Sequence, residues 1–184
     1  MRPARQGDFD GLCGLYALIN ALDLAAGSRP RAPMHRDLFV ALAHALPRQK
    51  LRQAMDVGLE GRDLIDAATA AFPLFKKRLG GHVSVMRPFK RQVFKTDADF
   101  LEAISDIMAS GRSAIILNVH TPTYRHWTVA ETITAEDILI RDSWALKALS
   151  RGRYTVKRGP YRIHPSDTLL VHFRPFRRLA REGG

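Results

Sequence analysis

The spacing of hydrophobic residues predicts three helices in the first part of the chain. The first runs from Leu12 to Ala26, and its apolar stripe recurs at intervals of three and four residues: Leu15, Leu18, Ile19 and Leu22. Two further helical patterns run from Met34 to Leu46 and from Glu60 to Phe72. A proline directly follows each of these two patterns and predicts the end of the helix.

Beyond residue 80 the pattern changes to short runs rich in β-branched residues, which are typical of strands. The predicted strands lie in HVSVMRPF, SAIILNVH, HWTVAETI, DILIRDS and TLLVHF. One helix, from Asp97 to Ser110, interrupts them, and residues 144–167 are predicted to form a long loop or hairpin. Helices first and mostly antiparallel strands later predict an α+β fold.

The length and composition are those of one globular domain. The chain has 184 residues, of which 46% are hydrophobic, so we expect a single domain over residues 1–184 with a sizeable core. Its helical half would cover residues 1–79 and its β-rich half residues 80–184. No stretch approaches the roughly 18 apolar residues of a membrane span.

The cysteine content and the charge indicate where the protein is located and what it could bind. No signal-peptide core is present near the start, and the single cysteine cannot form an internal disulfide, so we expect a reducing, cytoplasmic location; export by a route without a signal peptide stays open. The net charge is +11, and residues 147–184 hold ten basic and two acidic residues. This basic region predicts either a solvated surface or contact with nucleic acid or an acidic partner.

Cys13 lies at the start of the first predicted helix, after the turn GDFDG. It could be a small core residue, the usual place of a free cysteine. Alternatively it is a nucleophile, because unpaired N–H groups at a helix N-terminus stabilise a thiolate. Gly11 and Gly14 would then allow the backbone of a substrate to approach the sulfur.

A nucleophilic thiol needs a base and a group that orients the base. His126 opens the strand HWTVAETI, and Asp142 ends the returning strand DILIRDS. A hairpin with an odd-length loop would place the two on one face as diagonal neighbours. An even-length loop would place them on opposite faces, unless a bulge intervenes. His120 is the rival base.

These residues resemble the motifs of the papain-like cysteine peptidase superfamily. The matching positions, in the order of that family, are Gln6, Cys13-Gly14, His126-Trp127 and Asp142-Ser143-Trp144. The turn before Cys13 and the strand after His126 are most similar to compact bacterial members, such as the peptidase domains that cleave leader peptides in bacteriocin export.

The resemblance implies a papain-like fold, with the nucleophile helix packed on the sheet, and hydrolysis of a peptide, isopeptide or side-chain amide bond. Cys13 would be the nucleophile, His126 the base, Asp142 its orienting partner and Gln6 an oxyanion donor. Trp144 would be a core residue or a lid over the His–Asp pair. No cofactor and no metal is implied.

Several alternatives stay open at this point. The acceptor of the acyl group decides between a hydrolase and an acyltransferase or transglutaminase-like enzyme, and a role as a bacterial effector or toxin is compatible with either. From a different class, the chain could be a non-catalytic basic module that binds nucleic acid or an acidic partner. The sequence does not address oligomeric state.

Overall fold

A computed structural model describes residues 11–27, 32–144 and 146–176. The helices are α1 (Cys13–Ala26), α2 (Ala32–Ala45), α3 (Arg48–Val57), α4 (Gly61–Leu79) and α5 (Asp97–Ala109). The strands are β1 (Gly81–Met86), β2 (Ser113–His120), β3 (Arg125–Ile133), β4 (Asp137–Arg141), β5 (Ala148–Ser150), β6 (Arg162–Ile163) and β7 (Leu169–Pro175). A short 3₁₀ turn, Pro165–Asp167, connects β6 to β7.

The strands form one sheet in the order β1-β7-β2-β3-β4-β5, and β6 pairs with the end of β2. Every pairing between these strands is antiparallel. Helix α1 lies across β7, β2 and β3. The predicted α+β architecture, with the Cys13 helix packed on an antiparallel sheet, is therefore confirmed.

Hydrophobic core lies on both faces of the sheet. On one face, α1, α2 and α4 cover a layer whose fully buried members include Leu15, Leu18, Leu22, Leu38, Leu42, Leu64 and Ile116. On the other face, α5 covers a second layer that includes Phe100, Ile104, Ile115 and Leu117. Burial of each such side chain contributes about 1.5–3 kcal/mol, so α1 is held firmly against the sheet.

Helix α4 continues through Pro73 to Leu79, so the predicted end at Phe72 is wrong. Pro73 is exposed, whereas Phe72 and Phe75 on either side of it are buried. Their burial offsets the backbone hydrogen bond that proline cannot donate, a loss of roughly 3 kcal/mol in a helix interior. The helix ends instead at Gly80, whose φ of 69° is the left-handed conformation favoured at helix ends.

Helix α3 was not predicted, because its sequence is mostly polar and only Ala54 of its ten residues is buried. Its backbone packs closely on the start of α1: a Cβ on Gly11 would lie 2.1 Å from the Ala54 carbonyl oxygen. No helix in the described part of the chain is long and apolar enough to cross a membrane.

Candidate active site

A one-residue irregularity in the β3–β4 ladder sets the relation between His126 and Asp142. Near the turn, Ile133 pairs with Ile138 across a four-residue loop. This even loop alone would put His126 and Asp142 on opposite faces of the sheet. The register shifts between Ala130 and Thr132, so the extra residue forms a bulge and Asp142 comes opposite Thr128, on the face of His126. The expected shared face is present, but it comes from the bulge and not from an odd-length loop.

His126 and Asp142 form a buried hydrogen-bonded pair. Nε2 of His126 lies 2.5 Å from Oδ1 of Asp142, and the two residues are only 4% and 3% exposed. The other carboxylate oxygen, Oδ2, accepts the backbone N–H groups of Trp144 at 2.6 Å and Leu146 at 3.3 Å. Both oxygens of the buried carboxylate therefore have donors, and its position is fixed by the turn that follows β4.

The charge of this pair follows from its contacts. Burial lowers the pKa of His126, but hydrogen bonds to Asp142 and Cys13 outweigh it and raise the pKa to about 9. Burial raises the pKa of Asp142, and the bond to His126, helped by the Trp144 N–H and the Thr128 hydroxyl, lowers it below its ordinary value. At neutral pH the imidazole is therefore protonated beside a carboxylate.

The Cys13 thiol is close enough to the His126 imidazole to help raise its pKa. Cys13 is the first residue of α1 and is 6% exposed. Its sulfur also lies 4.0 Å from the Gly11 carbonyl oxygen. The structure thus brings together Cys13, His126 and Asp142, which lie far apart in the sequence, around one imidazole ring.

The two glycines beside Cys13 serve a different purpose from the one predicted. Gly11 packs against the Ala54 carbonyl, and a Cβ on Gly14 would lie 2.7 Å from a methyl group of Leu64. The space beside these glycines is therefore filled by α3 and α4, and the expectation that they admit a substrate backbone is wrong.

Trp144 lies over the His–Asp pair and is 56% exposed, so the core interpretation of this residue is wrong. Its ring centroid is 5.9 Å from that of His126 and 5.6 Å from that of Tyr124. Tyr124 in turn meets His126 edge-on at 6.3 Å. These two aromatic rings cover the imidazole from the solvent side, as a lid would.

His120, the rival base, lies apart from this group. Its Nε2 accepts a hydrogen bond from Nε of Arg125 at 3.1 Å, and its ring lies 4.0 Å from that of His164. Burial and the neighbouring positive groups lower the pKa of His120 to about 4. Its hydrogen bond and its ring contact among the described residues involve neither Cys13 nor Asp142.

A cavity of about 110 Å³ opens beside the Cys13 sulfur. One wall of the cavity is formed by α3, α4 and the loop between them. Trp127 holds that loop in place, because its indole N–H donates a hydrogen bond to the Leu59 carbonyl at 2.8 Å. The opposite wall carries Asn118, Trp127 and Arg125 from β2 and β3. Such a concave polar space beside a thiol can hold part of a substrate.

Asn118 is a site residue that the sequence analysis missed. It is 2% exposed, and its Oδ1 atom has no hydrogen-bond partner within the described chain. The one available signal was a polar residue inside the otherwise apolar run SAIILNVH, since a polar residue in such a run is expected to have a partner.

Gln6, the predicted oxyanion donor, lies outside the described residues, and its role stays a prediction. Within residues 11–27, 32–144 and 146–176, no group of three or more His, Cys, Asp or Glu side chains is arranged to hold a metal ion.

Comparison with known proteins identifies a fold. No protein-family model matches the chain, and no curated protein matches its sequence. Among solved structures it is similar to the peptidase domain of Streptococcus ComA, a bifunctional ABC transporter involved in a quorum-sensing pathway. The TM-score is 0.51 at 15% sequence identity, and the match covers 95% of this chain and 98% of that one. The chain therefore has the fold of a compact papain-like peptidase domain, as the sequence resemblance predicted.

Proposed function

We propose that the protein is a cysteine peptidase that cleaves an amide bond through Cys13, His126 and Asp142. The observation that carries the proposal is the position of His126, which is hydrogen-bonded to Asp142 at 2.5 Å and whose pKa is raised by Asp142 and by Cys13 together. This is the arrangement in which a base activates a nucleophile while a third group orients the base. The peptidase fold supports the same class of reaction.

In the first half of the reaction, Cys13 attacks the amide carbon as a thiolate, with His126 as the imidazolium. A carbon–sulfur bond forms, and the carbonyl oxygen becomes an oxyanion. The oxyanion then collapses, the carbon–nitrogen bond breaks, and the leaving amine takes its proton from His126. The product of this half is a thioester on Cys13 and a neutral imidazole.

In the second half, water attacks the thioester carbon while His126 accepts one of its protons. The carbon–sulfur bond breaks, the acid product leaves, and the thiolate–imidazolium pair is restored. Asp142 holds the imidazole in one orientation and stabilises its positive charge in both halves. The buried position of the pair strengthens this interaction, because little water is present to screen it.

The oxyanion would be stabilised at the N-terminus of α1. The backbone N–H of Cys13, the first helical residue, has no acceptor within the helix. The helix dipole adds a partial positive charge at the same place. The side-chain amide of Gln6 is the predicted second donor, and removal of one such donor typically costs on the order of 10²–10³ in rate.

Alkylation of Cys13 by iodoacetamide at pH 6 and at pH 8.5 tests the proposal. An ordinary cysteine is less than about 1% ionised at pH 6, whereas a thiol paired with the His126 imidazolium reacts at both values. We expect wild type to react at pH 6 within a few-fold of its rate at pH 8.5. We expect His126→Ala to lose more than about tenfold of the rate at pH 6.

His172→Ala is the matched control, because His172 hydrogen-bonds to Ser113 at the start of β2, whereas His126 pairs with Val119 near the other end of that strand. If wild type reacts at pH 6 like an ordinary thiol, Cys13 is structural and the peptidase proposal fails. Loss of reactivity in His120→Ala but not in His126→Ala would assign the base to His120. Amide cleavage is then read by mass spectrometry of a peptide mixture, with Cys13→Ala expected to produce no new termini.

A further inference from the structure

Basic side chains converge on one face at the end of β2. His120 pairs directly with Arg125 on β3 and with Arg162 on β6. Directly opposed residues of an antiparallel ladder share a face, so these three side chains lie side by side. The centroid of the His164 ring lies 4.0 Å from that of the His120 ring, with the two planes tilted by 39°. We call His120, Arg125, Arg162 and His164 the basic subsite.

The positive charge of the basic subsite is only partly compensated. Asp167 is the one carboxylate among the charged groups that act on the two imidazoles, and it is shared with Arg87 at 3.9 Å. The Nε atoms of Arg87 and Arg162 and Nε2 of His164 are buried without a hydrogen-bond partner among the described residues. Buried donors that lack acceptors are costly, so this cluster has capacity for an added anion.

The two imidazoles are kept neutral by this environment. Burial, reinforced by the neighbouring arginines, lowers the pKa of both His120 and His164, in the case of His120 to about 4. Two neutral rings among guanidinium groups are unsuited to hold a metal cation, because the arginines repel it. An anion would have the opposite effect and would favour protonation of both rings.

The basic subsite adjoins the candidate active site. Arg125 also lines the cavity at Cys13, together with Asn118, which lies two residues before His120 on the same face of β2. On the opposite wall the acidic residues are Glu60 and Asp63, and Asp63 is paired with Lys50 at 3.4 Å. A peptide held in the cavity at Cys13 would therefore meet Arg125, which belongs to both the cavity and the basic subsite.

We propose that the basic subsite binds a side-chain carboxylate of the substrate peptide, so that the enzyme selects substrates with aspartate or glutamate near the cleaved bond. The selectivity rests on the proposed peptidase function, but the binding does not require a reactive thiol. The guanidinium groups would supply charge-assisted hydrogen bonds to the carboxylate, which are stronger than bonds between neutral groups.

Binding is tested on full-length Cys13→Ala protein labelled with ¹⁵N and ¹³C in histidine. The probe is a blocked hexapeptide of glycine and alanine with two central glutamates, and the matched peptides carry glutamines or lysines there. The ring signals of His120 and His164 are followed during titration. We expect the glutamate peptide alone to shift them and to raise the pKa of His120 from about 4.

Arg162→Gln and Arg125→Gln, made separately, should each weaken binding of the glutamate peptide about tenfold, the loss expected for one charge-assisted contact. Arg125 is exposed on the surface, so its variant folds even if the partly buried Arg162 proves necessary for the fold. Arg174→Gln, an exposed change on β7 beside the far end of β2, should bind like the parent.

Equal binding of the glutamate and glutamine peptides would overturn the proposal, as would unchanged affinity in both arginine variants. Binding of a twelve-base-pair DNA duplex that depends on the same arginines, with no response to the glutamate peptide, would overturn it in favour of a nucleic-acid surface. These binding experiments use Cys13→Ala protein, so their results do not depend on the alkylation test. If Cys13 is unreactive in the wild type but the glutamate peptide still binds selectively, the peptidase proposal fails and the carboxylate-binding proposal stands.

Discussion

Asp142 reaches His126 across two neighbouring strands, and the Oδ1 and Nε2 atoms of the pair lie 2.5 Å apart. The contact depends on the bulge at Glu131, because the hairpin register set by the turn would direct the two side chains to opposite faces. Glu131 is itself bonded to Arg141, the residue before Asp142. The bulge on β3 and the residue before the carboxylate on β4 are therefore in direct contact across the two strands.

Insertion of one glycine between Arg141 and Asp142 should separate the pair. The inserted residue would take the place opposite Thr128, and Asp142 would move to the face opposite His126. We expect the pKa of His126 to fall from about 9 toward or below its ordinary 6.5, as measured by NMR titration of the ring. Deletion of Glu131 is the control: it removes the bulge and the extra residue together, keeps Asp142 opposite Thr128, and should leave the His126 titration high. A high pKa in the insertion variant would show that the register does not set the contact.

The stability of the protein should fall at alkaline pH because of His126. The pKa of this group is raised from 6.5 to about 9, so its contribution is fully present below pH 6.5 and is lost as the pH rises through about 9. The lowered pKa of Asp142 acts in the other direction, and its contribution is lost in acid below the ordinary value of 3.8.

Urea unfolding at pH 6 and at pH 9.5 measures this effect. Between these two values, wild type should lose on the order of 3 kcal/mol more than His126→Ala, a figure that follows from the size of the pKa shift. Parallel losses in the two proteins would mean that His126 has no raised pKa in the folded state.

Removal of the Trp144 ring should expose the His126–Asp142 hydrogen bond to water. The bridging proton of a buried short bond gives a low-field proton NMR signal, and exchange with solvent broadens it. We expect Trp144→Ala to broaden this signal strongly and Trp144→Phe to broaden it less, since a smaller ring still covers the imidazole. Phe176→Ala, which removes another exposed aromatic ring that contacts His82, should leave the signal unchanged. An equally sharp signal in Trp144→Ala would show that the indole is not a lid.

Gly14→Ala should destabilise the fold by overpacking. The new methyl group would lie 2.7 Å from a methyl of Leu64, which is fully buried between α1 and α4. We expect a loss of about 1–3 kcal/mol in urea unfolding. Gly152→Ala meets nothing closer than 3.9 Å and should have little effect. The double variant with Leu64→Ala should lose less than the sum of the single changes, and strict additivity would argue against the contact.

The local hydrophobic pattern was sufficient to predict a helix or strand where the element carries its hydrophobic residues on one face. The helix predicted from Leu12 to Ala26 is observed from Cys13 to Ala26, and the run SAIILNVH is strand β2 over its full length. The hydrophobic pattern did not predict elements that are stabilised by contacts with other parts of the fold. Helix α3 is held by its packing against the start of α1, and α4 passes Pro73 because the phenylalanines around it are buried.

The candidate site, like the fold, was predicted only in part from the sequence. The sequence supplied Cys13, His126 and Asp142 through their order and neighbours, and left His120 as a rival. It could not supply the register that unites His126 with Asp142, since a bulge changes the facing of every later residue without a local signature. Asn118 and the basic subsite were also missed, because their members come from separate strands and meet only in the folded sheet.

The amino-acid sequence by itself therefore determined the elements, the α+β class and the resemblance to papain-like peptidases. These depend on hydrophobic spacing and on short motifs, which are properties of neighbouring residues. The tertiary structure decided which histidine meets the aspartate, what fills the space beside Gly11 and Gly14, and where the basic side chains converge. Those relations depend on distances between residues remote in the chain, and strand pairing and helix packing alone fix such distances.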